Sequence, residues 1–380
     1  MINKLFAVAA AFGIILSLAG STPAHDEKKG SQPGEKVERT ISVDPQATIT
    51  LCVASGSLTV RGWDKLQVRV RSLDAEQLDF RRIDKTKDPN TPAMRIDVMV
   101  LDKSSRANPK LDCQAIADVE MDVPAGATVQ AQTRDGDIRI VGVAAAYAGS
   151  QNGDITIERA SKLVEAGSVG GSIFLRDSSG RVNLSSAGGG VEATNVRGAT
   201  GDDTFEVGTV SGDIQLDRIA SPKVMAKTVS GTLKLSGALV KSGYYAFTNM
   251  TGDVVLALPH DASFRLNAKV SEKKDIVSEF PLTYISEVAA TPPSPPGSKS
   301  VPPPPAGTGP KAPPAVKEKE KTPVKEKAMP RVGPVVTGPI VVARPAVVVP
   351  YVRRFEAICG TGDATISVAS FGGMVMLKKL

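Results

Sequence analysis

The stretch "TVSGDIQL" at Thr209–Leu216 returns almost unchanged as "TVSGTLKL" at Thr228–Leu235, nineteen residues later. In both copies a glycine and a small polar residue precede an apolar–polar–apolar triplet. This alternation is typical of β-strands, because successive side chains point to opposite faces of a sheet. The repeated phrase therefore predicts the same corner and the same strand on two adjacent units of a repeat.

Similar phrases recur through the centre of the chain at intervals of 17, 18, 19, 22, 19 and 21 residues. Glycine supplies the positive φ of a corner, and Asp, Ser or Thr after it suits a turn. The corner glycines are Gly136, Gly153, Gly171, Gly190, Gly212, Gly231 and Gly252. The residues predicted to be buried in two ladders are Ile155, Ile157, Ile173, Leu175, Ile214, Leu216, Leu233 and Leu235.

The repeat predicts an all-β fold, a parallel β-helix-like solenoid with about seven coils of 17–22 residues. The alternative is an antiparallel sandwich or meander of many short strands. Strand direction alternates in a meander, so the same corner has no reason to recur there. The nearly constant spacing therefore favours the solenoid.

Composition divides the rest of the chain. After Lys4 no charge occurs from Leu5 to Ala24, which is typical of a secretory signal peptide cleaved after Ala24. An uncleaved membrane anchor is the alternative, although the apolar core is shorter than the ~20 residues of a spanning helix. The predicted divisions are a signal peptide (1–24), a flexible segment (25–40), an N-terminal β region (41–125), the solenoid repeats (126–290), a proline-rich basic disordered insertion (291–350) and a final coil (351–380).

After the insertion the chain returns to the repeat style, in "GDATI" and "GMVML". Because Arg354–Leu380 is too short for an independent domain, we expect it to form a final coil that covers the open end of the ladder. Its apolar positions are Ile366, Val368, Val375 and Leu377. They should pack beside Val254, Leu256, Leu266 and Ala268.

The net charge of +6 is confined to one segment. Thr291–Pro350 holds nine Lys or Arg and three Glu, and the rest of the chain sums to zero. A nucleic-acid-binding domain carries its positive charge on a folded face, so this distribution argues against nucleic acid as a partner. We expect the proline-rich insertion to contact anionic envelope polymers instead.

Three cysteines are present, Cys52, Cys113 and Cys359. Export would permit a disulfide, but sequence alone leaves all three pairings and the fully reduced state open. The short separation along the chain favours Cys52 with Cys113.

Residue types for catalysis or metal binding are sparse. The two histidines are His25, beside the predicted cleavage site, and His260, in a turn context, so a Ser-His-Asp or Cys-His site would have to use His260. An acidic row could bind calcium, but one Asp in a coil of about 19 residues suits corner hydrogen bonding better than a calcium-binding roll. The row consists of Asp137, Asp154, Asp213 and Asp253.

A carbohydrate-active β-helix would need paired carboxylates in a groove. Asp202, Asp203 and Glu206 lie close together in "GATGDDTFEVG", where a solvated loop is the simpler explanation. Trp63 is the only tryptophan, and we expect it to pack near one end of the solenoid instead of stacking on a sugar. We therefore expect no catalytic, cofactor-binding or metal-binding residues.

The order of these pieces resembles the DUF4097 family of bacterial exported β-repeat proteins, which carries an adhesin label. The resemblance rests on "GSLTVRGWD", "VEMDVPAGATVQAQTRDGDIRI", the "SGDI" corners and "CGTGDATISVASFGGMVML". It covers most of Ile41–Ser286 and then Arg354–Leu380. The resemblance implies an all-β, parallel β-helix-like fold in exported or envelope proteins, without catalytic residues.

These observations predict an exported, non-enzymatic structural or adhesive β-solenoid of the periplasm, the cell surface or the extracellular space. The expected partners are envelope or extracellular polysaccharide or protein, with no cofactor, no nucleic acid and no transmembrane domain after signal cleavage. One alternative is a carbohydrate-active β-helix that binds or cleaves polysaccharide. The other is a calcium-stabilised surface protein.

Overall fold

The computed structural model describes residues 36–84, 91–102, 113–271, 275–289 and 353–380. These residues form an all-β fold of 26 strands, which confirms the predicted fold class. No helix in these ranges is long and apolar enough to cross a membrane. The predicted signal peptide (1–24) and proline-rich insertion (291–350) lie outside the described residues.

Strands before the regular repeats are β1 (Val37–Ser55), β2 (Leu58–Trp63), β3 (Gln67–Ser72), β4 (Gln77–Arg82), β5 (Ala93–Leu101), β6 (Val119–Pro124) and β7 (Thr128–Asp135). The repeats contain β8 (Ile138–Val141), β9 (Ala145–Ser150), β10 (Ile155–Glu158), β11 (Leu163–Ser168), β12 (Ile173–Arg176), β13 (Arg181–Ser186), β14 (Val191–Arg197), β15 (Thr204–Ser211), β16 (Ile214–Ala220), β17 (Lys223–Ser230), β18 (Leu233–Ser236), β19 (Tyr244–Thr251) and β20 (Val254–Leu258). The last strands are β21 (Phe264–Val270), β22 (Ile276–Ser278), β23 (Thr283–Ala289), β24 (Arg353–Cys359), β25 (Ala364–Ser370) and β26 (Val375–Lys379).

The strands lie in two sheets that enclose one hydrophobic core, and each regular coil contributes one strand to each sheet. The parallel strands of sheet A follow the order β6, β2, β8, β10, β12, β14, β16, β18, β20, β26, β22. Those of sheet B follow the order β5, β1, β7, β9, β11, β13, β15, β17, β19, β25, β21. This long parallel stack excludes the meander.

The predicted apolar ladders are confirmed. In sheet A, Ile214 pairs with Leu233, and Leu216 pairs with Leu235. All eight ladder residues named from the sequence are at most 2% exposed. Burying a side chain of this size contributes about 1.5–3 kcal/mol, so the summed burial along the stack holds the coils together.

Each corner from sheet B to sheet A contains a glycine stacked on the glycine of the preceding coil. A Cβ added to Gly171 would clash with the carbonyl of Gly153, and one added to Gly189 would clash with the carbonyl of Gly171. The corner glycine of this coil is therefore Gly189, and the predicted choice of Gly190 was wrong by one residue. The neighbouring spacings become 18 and 23 residues. Close approach of the two backbones, and not positive φ alone, requires glycine here.

The opposite corner, from sheet A to sheet B, repeats a positive φ once per coil. The residues are Gly142, Arg159, Asp177, Asn195, Arg218 and Gly237, with φ between 49° and 129°. Asn195 Nδ2 also donates a hydrogen bond to Asp177 Oδ1 at 2.6 Å, which links two adjacent coils. This position could not be predicted from the sequence, because its residues share a conformation but no side-chain type.

Several strands from the two terminal parts of the chain lie inside the stack instead of at its ends. In sheet A, β2 lies between β6 and β8, and β26 lies between β20 and β22. In sheet B, β25 lies between β19 and β21. The predicted return of the C-terminal segment is confirmed, because Val375 and Leu377 pair with Val254 and Leu256, and Ile366 and Val368 pair with Leu266 and Ala268.

The expectation that Arg354–Leu380 covers the open end of the ladder holds for β24, which pairs with the outer edge of β21, but was wrong for β25 and β26. Strands β21 and β22 lie beyond β25 and β26, so each of these two strands has a parallel neighbour on both sides. An interior place buries both edges of a strand and pairs both rows of its main-chain groups, which an end place does not.

Antiparallel strands flank the parallel stack at both ends. At one end β3 pairs with β6 and β4 pairs with β5, and at the other end β24 and β23 follow β21. The N-terminal β region predicted at 41–125 belongs to the same stack, because β1 and β2 are parallel to β7 and β8.

Cys52 and Cys113 form a disulfide with their Cα atoms 4.8 Å apart, which confirms the favoured pairing. The bond ties the chain just before β6 to β1 in the first coils. Cys359 is free and buried, and burial raises the pKa of its thiol despite the opposing effect of Lys379.

Candidate binding surface

The corner aspartates hold adjacent coils together. Asp154 Oδ1 accepts a hydrogen bond from the main-chain N–H of Ser172, and Asp213 Oδ1 accepts one from Thr232, both at 2.7 Å. The same bond, at 2.9 Å, joins Asp137 to Asp154 and Asp253 to Met374. In the described ranges no group of three or more His, Cys, Asp or Glu residues is arranged to hold a metal ion. Corner hydrogen bonding therefore accounts for the acidic row.

A second ladder, missed by the sequence analysis, consists of buried polar residues at the ends of the sheet B strands. Ser168 Oγ donates to the carbonyl of Gly153 at 3.1 Å, and Thr228 Oγ1 donates to that of Gly212 at 3.3 Å. Ser150, Ser186, Thr209 and Asn249 repeat this bond. Thr209 and Thr228 are the first residues of the two "TVSG" phrases. The signal was therefore visible in the sequence, as a small polar residue three before each corner glycine.

Asp203 closes its own loop. Its Oδ2 accepts hydrogen bonds from the N–H groups of Ala199 at 2.7 Å and Thr200 at 2.8 Å. Burial acts to raise the pKa of Asp203, but these bonds and the charge of Arg181 outweigh burial and leave the pKa below its ordinary value. Asp202 is exposed, so the loop does not present a carboxylate pair in a groove.

The other side chains singled out from the sequence do not lie together among the described residues. His260 is exposed in the turn after β20, and His25 lies outside the described residues. Trp63 is on β2, near the N-terminal end of the stack as expected, but it is only half-buried. Its Nε1 donates to the carbonyl of Gln67 at 2.8 Å, and Lys65 and Arg69 each lie 5.0 Å from its ring centroid. The Trp63 ring therefore makes cation–π contacts with Lys65 and Arg69.

The outer face of sheet A is occupied by long charged side chains that pair across coils. Arg139 pairs with Glu158 at 2.8 Å, and Arg176 pairs with Glu192 at 3.5 Å. At the N-terminal end Asp122 receives Arg69 at 2.7 Å. These ion pairs bring oppositely charged side chains of adjacent coils together on this face.

Sheet B presents a different outer surface, which we call the sheet B face. It comprises the outward residues of strands β7 to β21, and small or hydroxyl residues dominate it. Among the described residues, no ion pair joins the outward side chains of strands β9, β11, β13, β15, β17, β19 and β25. Glu165 and Glu206 lie on it two strand spacings apart, about 9.6 Å, with Asn183 between them.

Three glycines on the sheet B face are not required by the fold. Gly149, Gly167 and Gly208 belong to one row, with Ser185 between the last two. A Cβ added to any of the three would meet its nearest atom only at 3.8–3.9 Å, an ordinary van der Waals distance. Their backbones also lack positive φ. These three glycines leave the backbone of the sheet B face uncovered by side chains. The corner glycines of the same coils, in contrast, are required because neighbouring backbones approach closely there.

The repeat architecture defines a β-solenoid whose two sheets present outer faces of different composition. The sequence profile of the Toastrack DUF4097 family matches residues 48–280, more than half of the chain. The chain belongs to this family, which confirms the resemblance seen in the sequence. The match ends before β24, although β25 and β26 complete coils of the same stack.

Solved structures similar to this chain include a candidate adhesin from Parabacteroides merdae, with 9% identity and a TM-score of 0.35 over 60% of this chain and 90% of its own. A candidate adhesin from Parabacteroides distasonis has 12% identity and a TM-score of 0.28 over 60% and 91%. A candidate cell adhesion protein from Clostridium sporogenes has 8% identity and a TM-score of 0.18 over 91% and 99%. No protein with curated annotation matches the chain.

Proposed function

We propose that this protein is an exported, non-enzymatic β-solenoid that acts in adhesion or as a structural element of the cell envelope, and that it binds with the sheet B face. Lys4 and the uncharged stretch Leu5–Ala24 that follows it support export, because a basic residue followed by a short apolar core is the pattern of a secretory signal.

The row of Gly149, Gly167 and Gly208 is the observation that carries the proposal. A glycine inside a strand weakens the strand, because it loses more conformational entropy on folding and packs no side chain. Where sterics do not require it, such a glycine is typical of a place where another molecule approaches the backbone closely. Three such positions in one row suit an extended partner that lies across the strands.

A non-enzymatic role is supported by the state of the carboxylates. The corner aspartates and Asp203 accept main-chain hydrogen bonds, so they serve the fold. Glu165 and Glu206 lie on an open sheet surface instead of in a groove that could exclude water from a reaction. The partner expected for such a surface is an envelope or extracellular polymer. Contact between the proline-rich insertion and anionic envelope polymers remains part of the proposal.

The test is binding of the mature chain to envelope material isolated from the producing bacterium. Gly167→Tyr places a large side chain on the sheet B face, and Thr156→Tyr makes a matched change on the outer face of sheet A. We expect G167Y to lose binding and T156Y to keep it, with similar thermal stability for both. Equal binding by both variants, a cytoplasmic location in cell fractionation, or release of reducing sugar ends by the wild type would contradict the proposal.

A further inference from the structure

Four cations stand at the corners of a rectangle on the C-terminal half of the sheet B face. Lys223 and Lys227 lie on β17, and Arg265 and Lys269 lie on β21. The register across β19 and β25 places Lys223 in the row of Arg265, and Lys227 in the row of Lys269. All four side chains are exposed. We call this surface the cationic patch.

Strand geometry sets the size of the cationic patch. Three strand spacings separate β17 from β21, about 14 Å, and four residues separate the two cations of one strand, about 13 Å. The floor between the cations consists of small and hydroxyl-bearing residues: Tyr244, Ala246, Thr248, Thr365, Ser367 and Ala369. Hydroxyl groups donate and accept hydrogen bonds, so this floor can bond to a polar chain laid across it.

Acidic residues neutralise only part of the cationic patch. Glu356 on β24 pairs with Arg265 at 3.5 Å, and Glu206 lies one strand beyond β17. Within the described residues the three lysines of the patch have no ion pair. Arg354 is the neighbour of Lys269 across the β21–β24 pair and adds a further cation. An excess of positive charge therefore remains for a partner.

The proline-rich insertion cannot supply that partner. It begins after Ala289 on β23 and ends before Arg353 on β24, so both of its ends join the fold close to the cationic patch. Thr291–Pro350 holds nine basic and three acidic residues, so the patch repels it.

We propose that the cationic patch binds a linear anionic polysaccharide that runs along the stack, across strands β17 to β21. This inference rests on the function proposed above and names the partner class of the same face. The acidic groups of the polysaccharide meet the lysines, and its hydroxyl groups meet the floor between them. The long axis of the polysaccharide follows the row of Lys227, Thr248, Ala369 and Lys269.

Other anionic partners fit this surface less well. Binding to a lipid surface needs a broad apolar face, and the large apolar side chains here are only Tyr244 and Met225. Single-stranded nucleic acid is held by a series of stacking aromatic rings, and the patch offers one, Tyr244.

Binding of polygalacturonate to the mature chain, with neutral dextran in parallel, tests the proposal. The double variant K227Q/K269Q should raise Kd about tenfold, because two charge-assisted contacts are lost. Added salt should weaken wild-type binding, since the charges lie at the surface. The matched control K234Q removes an exposed lysine from the outer face of sheet A and should leave Kd unchanged. A shared urea midpoint would show that all variants are folded.

Binding of dextran sulfate in addition to polygalacturonate would support a shared anionic chemistry. An unchanged Kd in K227Q/K269Q, equal binding of neutral dextran, or tighter binding of duplex DNA or phosphatidylglycerol vesicles would overturn the proposal. The envelope assay separates the two levels of inference. If G167Y loses envelope binding and K227Q/K269Q keeps it, the anionic polysaccharide is excluded and the binding role of the sheet B face stands. If neither variant changes envelope binding, both are wrong.

Discussion

Thr209 Oγ1 donates a hydrogen bond to the carbonyl oxygen of Gly189, 3.1 Å away in the corner of the preceding coil. The hydroxyl is buried, with Thr209 5% exposed, and the carbonyl belongs to the glycine on which the next corner glycine stacks. This hydrogen bond explains why the repeated sequence "TVSG" begins with threonine. The threonine satisfies a main-chain acceptor that the tight corner removes from water.

Replacing this threonine should destabilise the fold. Thr209→Val keeps the shape but leaves the carbonyl of Gly189 without its donor, at a cost of about 1–3 kcal/mol. Thr204→Val is the matched control on the outer side of the same strand, where an exchange should change stability by less than about 0.5 kcal/mol. Urea unfolding midpoints measure both. Equal urea midpoints for the two variants would show that the hydrogen bond from Thr209 to Gly189 does not stabilise the fold.

Two glycines four residues apart should respond oppositely to alanine. In Gly171→Ala the new Cβ meets the carbonyl of Gly153, and we expect a loss of about 1–3 kcal/mol or more, or failure to fold. In Gly167→Ala the Cβ has room, and we expect no loss or a gain of about 0.4–1 kcal/mol. Thermal unfolding of the pair is the measurement. A loss in G167A as large as that in G171A would show that the row on the sheet B face is structural.

The loop closed by Asp203 should weaken in acid. The pKa of Asp203 in the folded chain is below its ordinary value of 3.8, so its contribution is present above that value and is lost as the pH falls through the folded pKa. Asp203→Asn removes the charge without changing the shape. The stability difference between wild type and D203N should therefore be constant from neutral pH down to about 4 and shrink below it. Urea midpoints across this range measure the difference, and Asp202→Asn, at an exposed neighbour, should show no such trend.

Deleting Arg353–Leu380 should damage more than one end of the stack. Among the described strands, β21 pairs only with β24 and β25, and β22 only with β26, so the deletion removes every described partner of β21, β22 and β23. We expect a lower melting temperature and rapid proteolysis between Pro259 and Ala289. A tail-deleted chain that melts like the intact one would contradict the interior placement of β25 and β26.

Replacing Thr291–Pro350 by a short Gly/Ser bridge should leave the stability of the fold unchanged or slightly raised, because loop-closure entropy grows only logarithmically with length.

Periodicity revealed the core but not the order of the coils. The alternation in "GDIQL" and "GTLKL" predicted which side chains are buried, because only one face of each strand can meet the core. It could not show that β25 enters between β19 and β21, since strands inserted in or added to a parallel stack carry the same alternation. For the same reason "GGG" at Gly188–Gly190 offered three possible corners, and only the stacking on Gly171 identifies Gly189.

The candidate surface was harder to predict than the core. Lys227 and Lys269 are 42 residues apart, and Thr248 and Ala369, which lie between them, come from opposite sides of the insertion. A summed charge of zero outside the insertion concealed this local excess. The cationic patch becomes visible only when the register of sheet B is known.

The central claim is that partners bind the sheet B face and not the outer face of sheet A. Carbodiimide labelling of carboxylates, with and without polysaccharide isolated from the producing bacterium, tests it directly by mass spectrometry. We predict that labelling of Glu165 and Glu206 falls on binding, while labelling of Glu192 and Asp217 on sheet A stays the same. Protection of Glu192 and Asp217 with Glu165 and Glu206 unchanged would contradict it.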